Sequence, residues 1–138
     1  MSDRTMEAGA TGEATMAVDR SDTAEALSLS ADDTFPPVFA TSRMIALMEL
    51  AAARAMKPLL DEGELSVGVT VDIRHVAPTP IGATATARAT YLGPDGKLFR
   101  FRVEAFDDAG PIGDGEHVRA IVTTERLMTG ASRRLSRT

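Results

Sequence analysis

A chain of 138 residues is long enough for one domain with one core and too short for two. With 43% hydrophobic and 25% charged residues it reads as globular, neither disordered nor membrane-embedded, and its net charge of −5 argues against a nucleic-acid partner. The absence of Cys excludes a disulfide, a thiol nucleophile and Cys-ligated zinc.

Aromatic residues are few, with five Phe, one Tyr and no Trp, so the core is built from Ala, Val, Leu, Ile and Met. A core rich in Ala lets a helix and a sheet approach closely. The start of the chain, MSDRTMEAGATGEA, carries acids and no apolar h-region. The longest apolar stretch, Met44 to Met56, is interrupted by Glu49 and Arg54 and is too short for a bilayer. The expectation is a cytoplasmic protein with no membrane contact.

Residues 1–12 are small, polar and acidic and are expected to form a disordered arm, followed by one domain over residues 13–128 and a flexible basic tail over 129–138. A first strand is expected at Ala14 to Val18, then a single helical turn capped by Ser21 or Thr23 and running through Leu27. Pro36 and Pro37 force an extended approach through Asp32 to Phe39. A helix then starts with Thr41 or Ser42 as N-cap, runs through strong helix formers to Lys57, and stops at Pro58.

After a turn at Asp61 to Glu64 the chain alternates as strands do. Val67 to Ala77 places Val67, Val69, Val71, Ile73, His75 and Ala77 on one face, with Gly68, Thr70, Asp72 and Arg74 on the other. Thr84 to Leu92 places Ala85, Ala87, Ala89 and Tyr91 on one face, which suits a closely packed helix. Gly93-Pro94-Asp95-Gly96 is a turn signal, since proline presets the turn and glycine accepts positive φ. Lys97 to Asp107 turns Phe99, Phe101, Val103 and Ala105 inward, and Ile112 to Glu125 forms the last strand. One long helix followed by an antiparallel meander implies an α+β fold, with the sheet curled around the helix.

Three residues invite chemistry. On a helical wheel Arg43, Arg54 and Lys57 form one stripe, and Glu49 stands about 80° or more away from it, with no oppositely charged neighbour on its own helix. Glu49 therefore reads as a desolvated carboxylate suited to act as base or nucleophile, or else as one escaping to solvent at the helix edge. His75 lies on the apolar register of its strand, where it is either a satisfied core histidine or the acid–base partner of Glu49. Thr41 is the expected cap of the helix, and its hydroxyl, beside the unpaired N–H groups of a helix start, could also hold a carbonyl. Axial rise separates Thr41 from Glu49 by about 12 Å, so the two must reach one substrate from different sides or from two subunits. His117 has no identifiable acid partner and is expected at the surface. No GxGxxG, Walker, GxSxG or HExxH motif is present, and metal ligands are too few for a metal site.

The segments FPPVFATSRMIALMELAAARAMKPLL, SVGVTVDIRHVAPTPIGATATARA and GDGEHVRAIV, in this order and spacing, resemble the hot-dog thioesterases similar to fluoroacetyl-CoA thioesterase. The resemblance covers about two thirds of the chain, from Phe35 to about Arg126. It implies a catalytic set of Thr41, Glu49 and His75, with Gly68 and Arg119 contacting substrate and Phe35 as a lid over the acyl group. It implies a homodimer, or a higher oligomer, that hydrolyses a short-chain or aromatic acyl-CoA with no cofactor beyond the coenzyme A of the substrate. An acyl-CoA hydratase or dehydratase of the same fold, and a non-catalytic acyl-CoA binding module, are the alternatives.

Overall fold

A computed structural model describes residues 5–136. Its elements are β1 (Thr11–Ala17), α1 (Thr41–Met56), β2 (Glu64–His75), β3 (Thr84–Asp95), β4 (Leu98–Asp107), β5 (Gly110–Thr123) and α2 (Thr124–Ser136), with short 3-10 turns at Arg20–Asp22, Glu25–Leu27 and Lys57–Leu59. The strands form one antiparallel sheet in the order β1-β3-β4-β5-β2 that curls around α1, the α+β arrangement expected.

The alanine face lies where alternation puts it. Ala85, Ala87 and Ala89 are wholly buried beneath α1, which turns Met44, Met48, Ala51, Ala52, Ala55 and Met56 onto the sheet. Small side chains on both surfaces bring the backbones together, and a Cβ at Gly12 of β1 would collide with the Ala51 carbonyl and sit 2.7 Å from the Ala55 nitrogen. Phe99, Phe101, Val103 and Ala105 complete the wall from β4, and Arg100 and Arg102, alternating with them, face outward toward Glu116 and Asp114. Gly96, at φ 63°, turns the β3–β4 hairpin. Among the described residues no helix is long and apolar enough to cross a membrane.

Three expectations change. The described part of the arm is ordered: Gly9 donates to the Tyr91 carbonyl, Met6 packs on the core and β1 begins at Thr11, because the edge of β3 offers backbone partners to any extended segment. Residues 1–4 lie outside the described residues. The basic tail is helical through Ser136: the Thr123 hydroxyl accepts from the Arg126 N–H at 3.4 Å, and Glu125 in the first turn with Arg133 and Arg134 in the last complement the helix dipole.

The third change is in β2. Gly68 pairs with Arg119 and Thr70 with Val118, so Val69 is an extra residue, a β-bulge that reverses the side-chain alternation. Val71, Ile73 and His75 keep the inward face, but before the bulge it passes to Ser66 and Gly68 instead of Val67 and Val69. β2 pairs with β5 alone and is a sheet edge, with Leu65, Val69 and Val71 exposed.

Candidate active site

Helix α1 begins one residue earlier than a Thr41 cap would place it. Ala40 is the N-cap, its extended backbone accepting from Arg43 and Met44, and no side chain caps the helix. Thr41 is the first helical residue, and its hydroxyl lies 2.7 Å from Nδ1 of His75, the last residue of β2. His75 Nε2 is buried and has no hydrogen-bond partner among the described residues. Burial holds this imidazole below the ordinary histidine range, with the Ala77 backbone pulling the other way, so the neutral ring is the resting form. A hydroxyl both donates and accepts, so the contact suits either tautomer and permits a proton to move between the two groups.

Thr41 and His75 open onto a cleft of about 440 Å³ whose apolar lining includes Phe35, Val38, Phe39 and Val76. Phe39 is buried in the core, whereas Phe35 is 51% exposed at the rim. The antiparallel bridge of Val38 to Pro80 and the Phe39 N–H to Thr79 carbonyl bond fasten this approach segment to the loop after β2.

A second polar group sits farther along α1. Arg119 of β5, only 5% exposed, donates from Nε to the Ser66 hydroxyl at 3.0 Å, from Nη2 to the Ser66 carbonyl at 2.8 Å, and from Nη1 to Glu49 Oε2 at 3.3 Å and His117 Nε2 at 3.1 Å. Gly68 makes room for it: a Cβ there would collide with Glu49 Oε2 and approach the His117 ring at 3.2 Å. Burial lowers the Arg119 pKa and Glu49 raises it, and the group stays cationic.

The two groups are separate within one protomer. No hydrogen bond joins Glu49 to His75: His75 is held by Thr41, and Glu49 by Arg119. Glu49 is also less buried than its helical phase suggested, with 39% of its side chain exposed. Arg119 is no solvated sheet residue, and His117, expected at the surface, is 1% exposed with Glu49 Oε2 4.0 Å from its Nε2. Its acid lies on another element, 68 positions away in the sequence (117 minus 49), where no local pattern points to it. The signal that was available is parity, since residues two apart on a strand share a face and Arg119 was already a candidate. Ser66 had no such signal, because only the bulge turns it inward.

The fluoroacetyl-CoA-specific thioesterase family model, FlK, matches residues 18–125. Over 93 residues the chain is 44% identical to the fluoroacetyl-CoA thioesterase of Streptantibioticus cattleyicolor, covering 67% of each chain. Its fold superposes on a structure of FlK with a TM-score of 0.87 at 34% identity, covering 94% of this chain and 97% of that one. A Phe→Ala variant of FlK in complex with fluoroacetate and CoA gives a TM-score of 0.83 at 35% identity over 88% and 99% of the two chains. A Thermus thermophilus protein described as a thioesterase superfamily member gives 0.86 at 27% identity over 98% and 97%.

Proposed function

The chain belongs to the family of fluoroacetyl-CoA-specific thioesterases, thioester hydrolases of the hot-dog fold, and from that premise we propose that it hydrolyses a short-chain acyl-CoA through Thr41, Glu49 and His75. The observation that carries the reading of the site is the hydroxyl–imidazole contact of 2.7 Å at the mouth of an apolar cleft, on the same helix as a carboxylate held by a buried guanidinium.

Hydrolysis replaces the carbonyl C–S bond with a C–O bond to a water oxygen and leaves a proton for the departing CoA sulfur. Glu49, held by Arg119 through Oε2 and with Oε1 carrying no hydrogen bond among the described residues, takes a proton from that water or attacks the carbonyl itself. If water attacks, its one proton passes from Glu49 to the neutral His75 ring and from there to the departing sulfur. If Glu49 attacks, the CoA sulfur leaves first, water then cleaves the anhydride and frees the carboxylate, and its proton reaches the thiolate through His75. Thr41 fixes the ring through Nδ1. The first N–H groups of α1 stabilise the developing oxyanion. The acyl group lies in the cleft with Phe35 over it, and Gly68 and Arg119 border the thioester. Coenzyme A enters as part of the substrate, and no further cofactor is invoked. Acyl-CoA esters are intracellular metabolites, which favours the cytoplasm as the place of action.

Eight residues of helix between Thr41 and Glu49 amount to about 12 Å. We therefore assign each site to two protomers of a homodimer, with the unpaired β2 edge and its exposed valines available for the contact. Mixing a Thr41→Val protein with a Glu49→Gln protein is the test. A shared site regains activity in the mixed dimer, which then holds one intact Thr41–Glu49 pair; a site within one protomer regains none.

The activity itself is read by incubating the protein with a panel of acyl-CoAs and a thiol reagent. Free CoA release that survives both Glu49→Ala and His75→Ala would overturn the assigned site. A change in double-bond absorbance without thiol release would instead indicate a hydratase, and tight binding without turnover an acyl-CoA binding module.

A further inference from the structure

Among the polar groups of the site, His117 has no role in the chemistry above. It is 1% exposed, with the apolar register partners Val71 on β2 and Phe101 on β4. A buried imidazole in such a place is costly unless both nitrogens are satisfied.

Its two partners are of opposite kinds. Nδ1 lies 2.8 Å from the Thr70 carbonyl, which only accepts, so Nδ1 carries the hydrogen. Nε2 lies 3.1 Å from Arg119 Nη1, which only donates, so Nε2 is bare. Together they leave one form, the neutral Nδ1–H tautomer. Burial and the Arg119 charge keep the ring from protonating, against the Thr70 carbonyl and Glu49, which favour the charged form. The Thr70 carbonyl stands at the end of the β2 bulge, so the irregularity that turns Gly68 inward also anchors the imidazole.

Arg119 Nη1 has two hydrogens. One goes to His117 Nε2 and the other to Glu49 Oε2, while Ser66 holds Nε and Nη2. We propose that His117 is a positioning residue which, by accepting one Nη1 hydrogen of Arg119, aims the other at Glu49 and so fixes the carboxylate for thioester hydrolysis. The inference rests on the hydrolase reading for its consequence in turnover, but the hydrogen-bond arrangement stands apart from it.

Two substitutions separate the nitrogens. His117→Asn can keep the donor to Thr70 but places no acceptor at Arg119, whereas His117→Gln places a carbonyl oxygen where Nε2 was. With positioning, His117→Asn lowers kcat by about 10- to 100-fold with little change in KM, and His117→Gln stays within about threefold of the parent. Equal kcat values for the two variants, or a lower value for Gln, overturn the proposal, since a purely structural role would track stability instead. Two measurements need no turnover. Imidazole ¹⁵N shifts of the unsubstituted protein at neutral pH should report Nδ1–H and bare Nε2, and an Nε2–H or imidazolium signature overturns the proposal. A crystal structure of His117→Asn should show Nη1 turned away from Glu49, and an unmoved guanidinium also overturns it. If the protein releases CoA from no acyl-CoA, the hydrolase reading fails while these two results still decide the role of His117.

Discussion

The polar groups at the two ends of the site are built in opposite ways. Thr41 and His75 share one short hydrogen bond at the mouth of a cleft, and the second imidazole nitrogen has no partner among the described residues. Arg119 is held by four hydrogen bonds to three residues from α1, β2 and β5. A pair with one bond and a spare lone pair or proton is suited to proton transfer. A cation anchored on several sides is suited to hold still, because reorienting it would break several charge-assisted bonds at once. On the proposed reading, the difference separates the group suited to moving a proton from the group that keeps the carboxylate in place.

The most severe way to break this division is Glu49→Gln, which keeps an acceptor for Arg119 and removes the basic oxygen. Turnover should fall about 10³-fold with the thermal transition nearly unchanged, and a protein retaining more than a tenth of its rate would remove Glu49 from the chemistry. His75→Ala should cost about 10²-fold and also reshape the pH profile. Burial lowers the His75 pKa, so the neutral ring persists as pH falls through the ordinary value of about 6.5. The acid limb of kcat/KM therefore lies below that value, and the variant should lose it. Gly68→Ala sharpens the contrast, since the new methyl displaces Glu49 Oε2 and leaves Thr41 and His75 untouched. A fall in kcat of about tenfold with an unchanged acid limb is expected.

The smallest effect lies in the loop that supports the cleft. Thr79 is buried and donates to Asp107 Oδ2 at 2.8 Å, and this bond heads the interactions that hold the Asp107 carboxyl below the usual range. Because the folded pKa is depressed, the stabilisation is present above the unfolded value of about 3.9 and is lost as pH falls through the folded value. Thr79→Val should destabilise by about 1 kcal/mol at neutral pH and by less in acid, measured by denaturant unfolding at two pH values, with kcat nearly unchanged.

Much of the fold was legible because it follows from short-range pattern. Helix α1 ends within a residue of its expected limits, and the faces of β3 and β4 are those of strict alternation. β2 was misread for a physical reason: Val67, Val69 and Val71 alternate without a break, so nothing local marks the bulge. Its cause is long-range, the need to set Gly68 and Ser66 around the guanidinium of a strand some fifty residues on, 119 minus 68 or 66. His117 was missed for the same reason, since its partners belong to α1, β2 and β5 together. The N-terminal arm was misjudged because a polar segment can still be ordered by backbone hydrogen bonds to a sheet edge, as Gly9 is at Tyr91. The helical phase of Glu49 was a sound sign that it differs from the charged stripe, although its partner came from the sheet.

The alanine seam beneath α1 bears on how this protein changes over generations. Ala85, Ala87 and Ala89 are fully buried and Gly12 meets the helix backbone directly, so a larger side chain at any of them is expected to press on the helix that carries Thr41 and Glu49. Drift in the floor is thus penalised through both ends of the site at once. New acyl preferences have an easier route through the exposed rim, at Phe35 and Val76, where a substitution reshapes the cleft and leaves the helix seated.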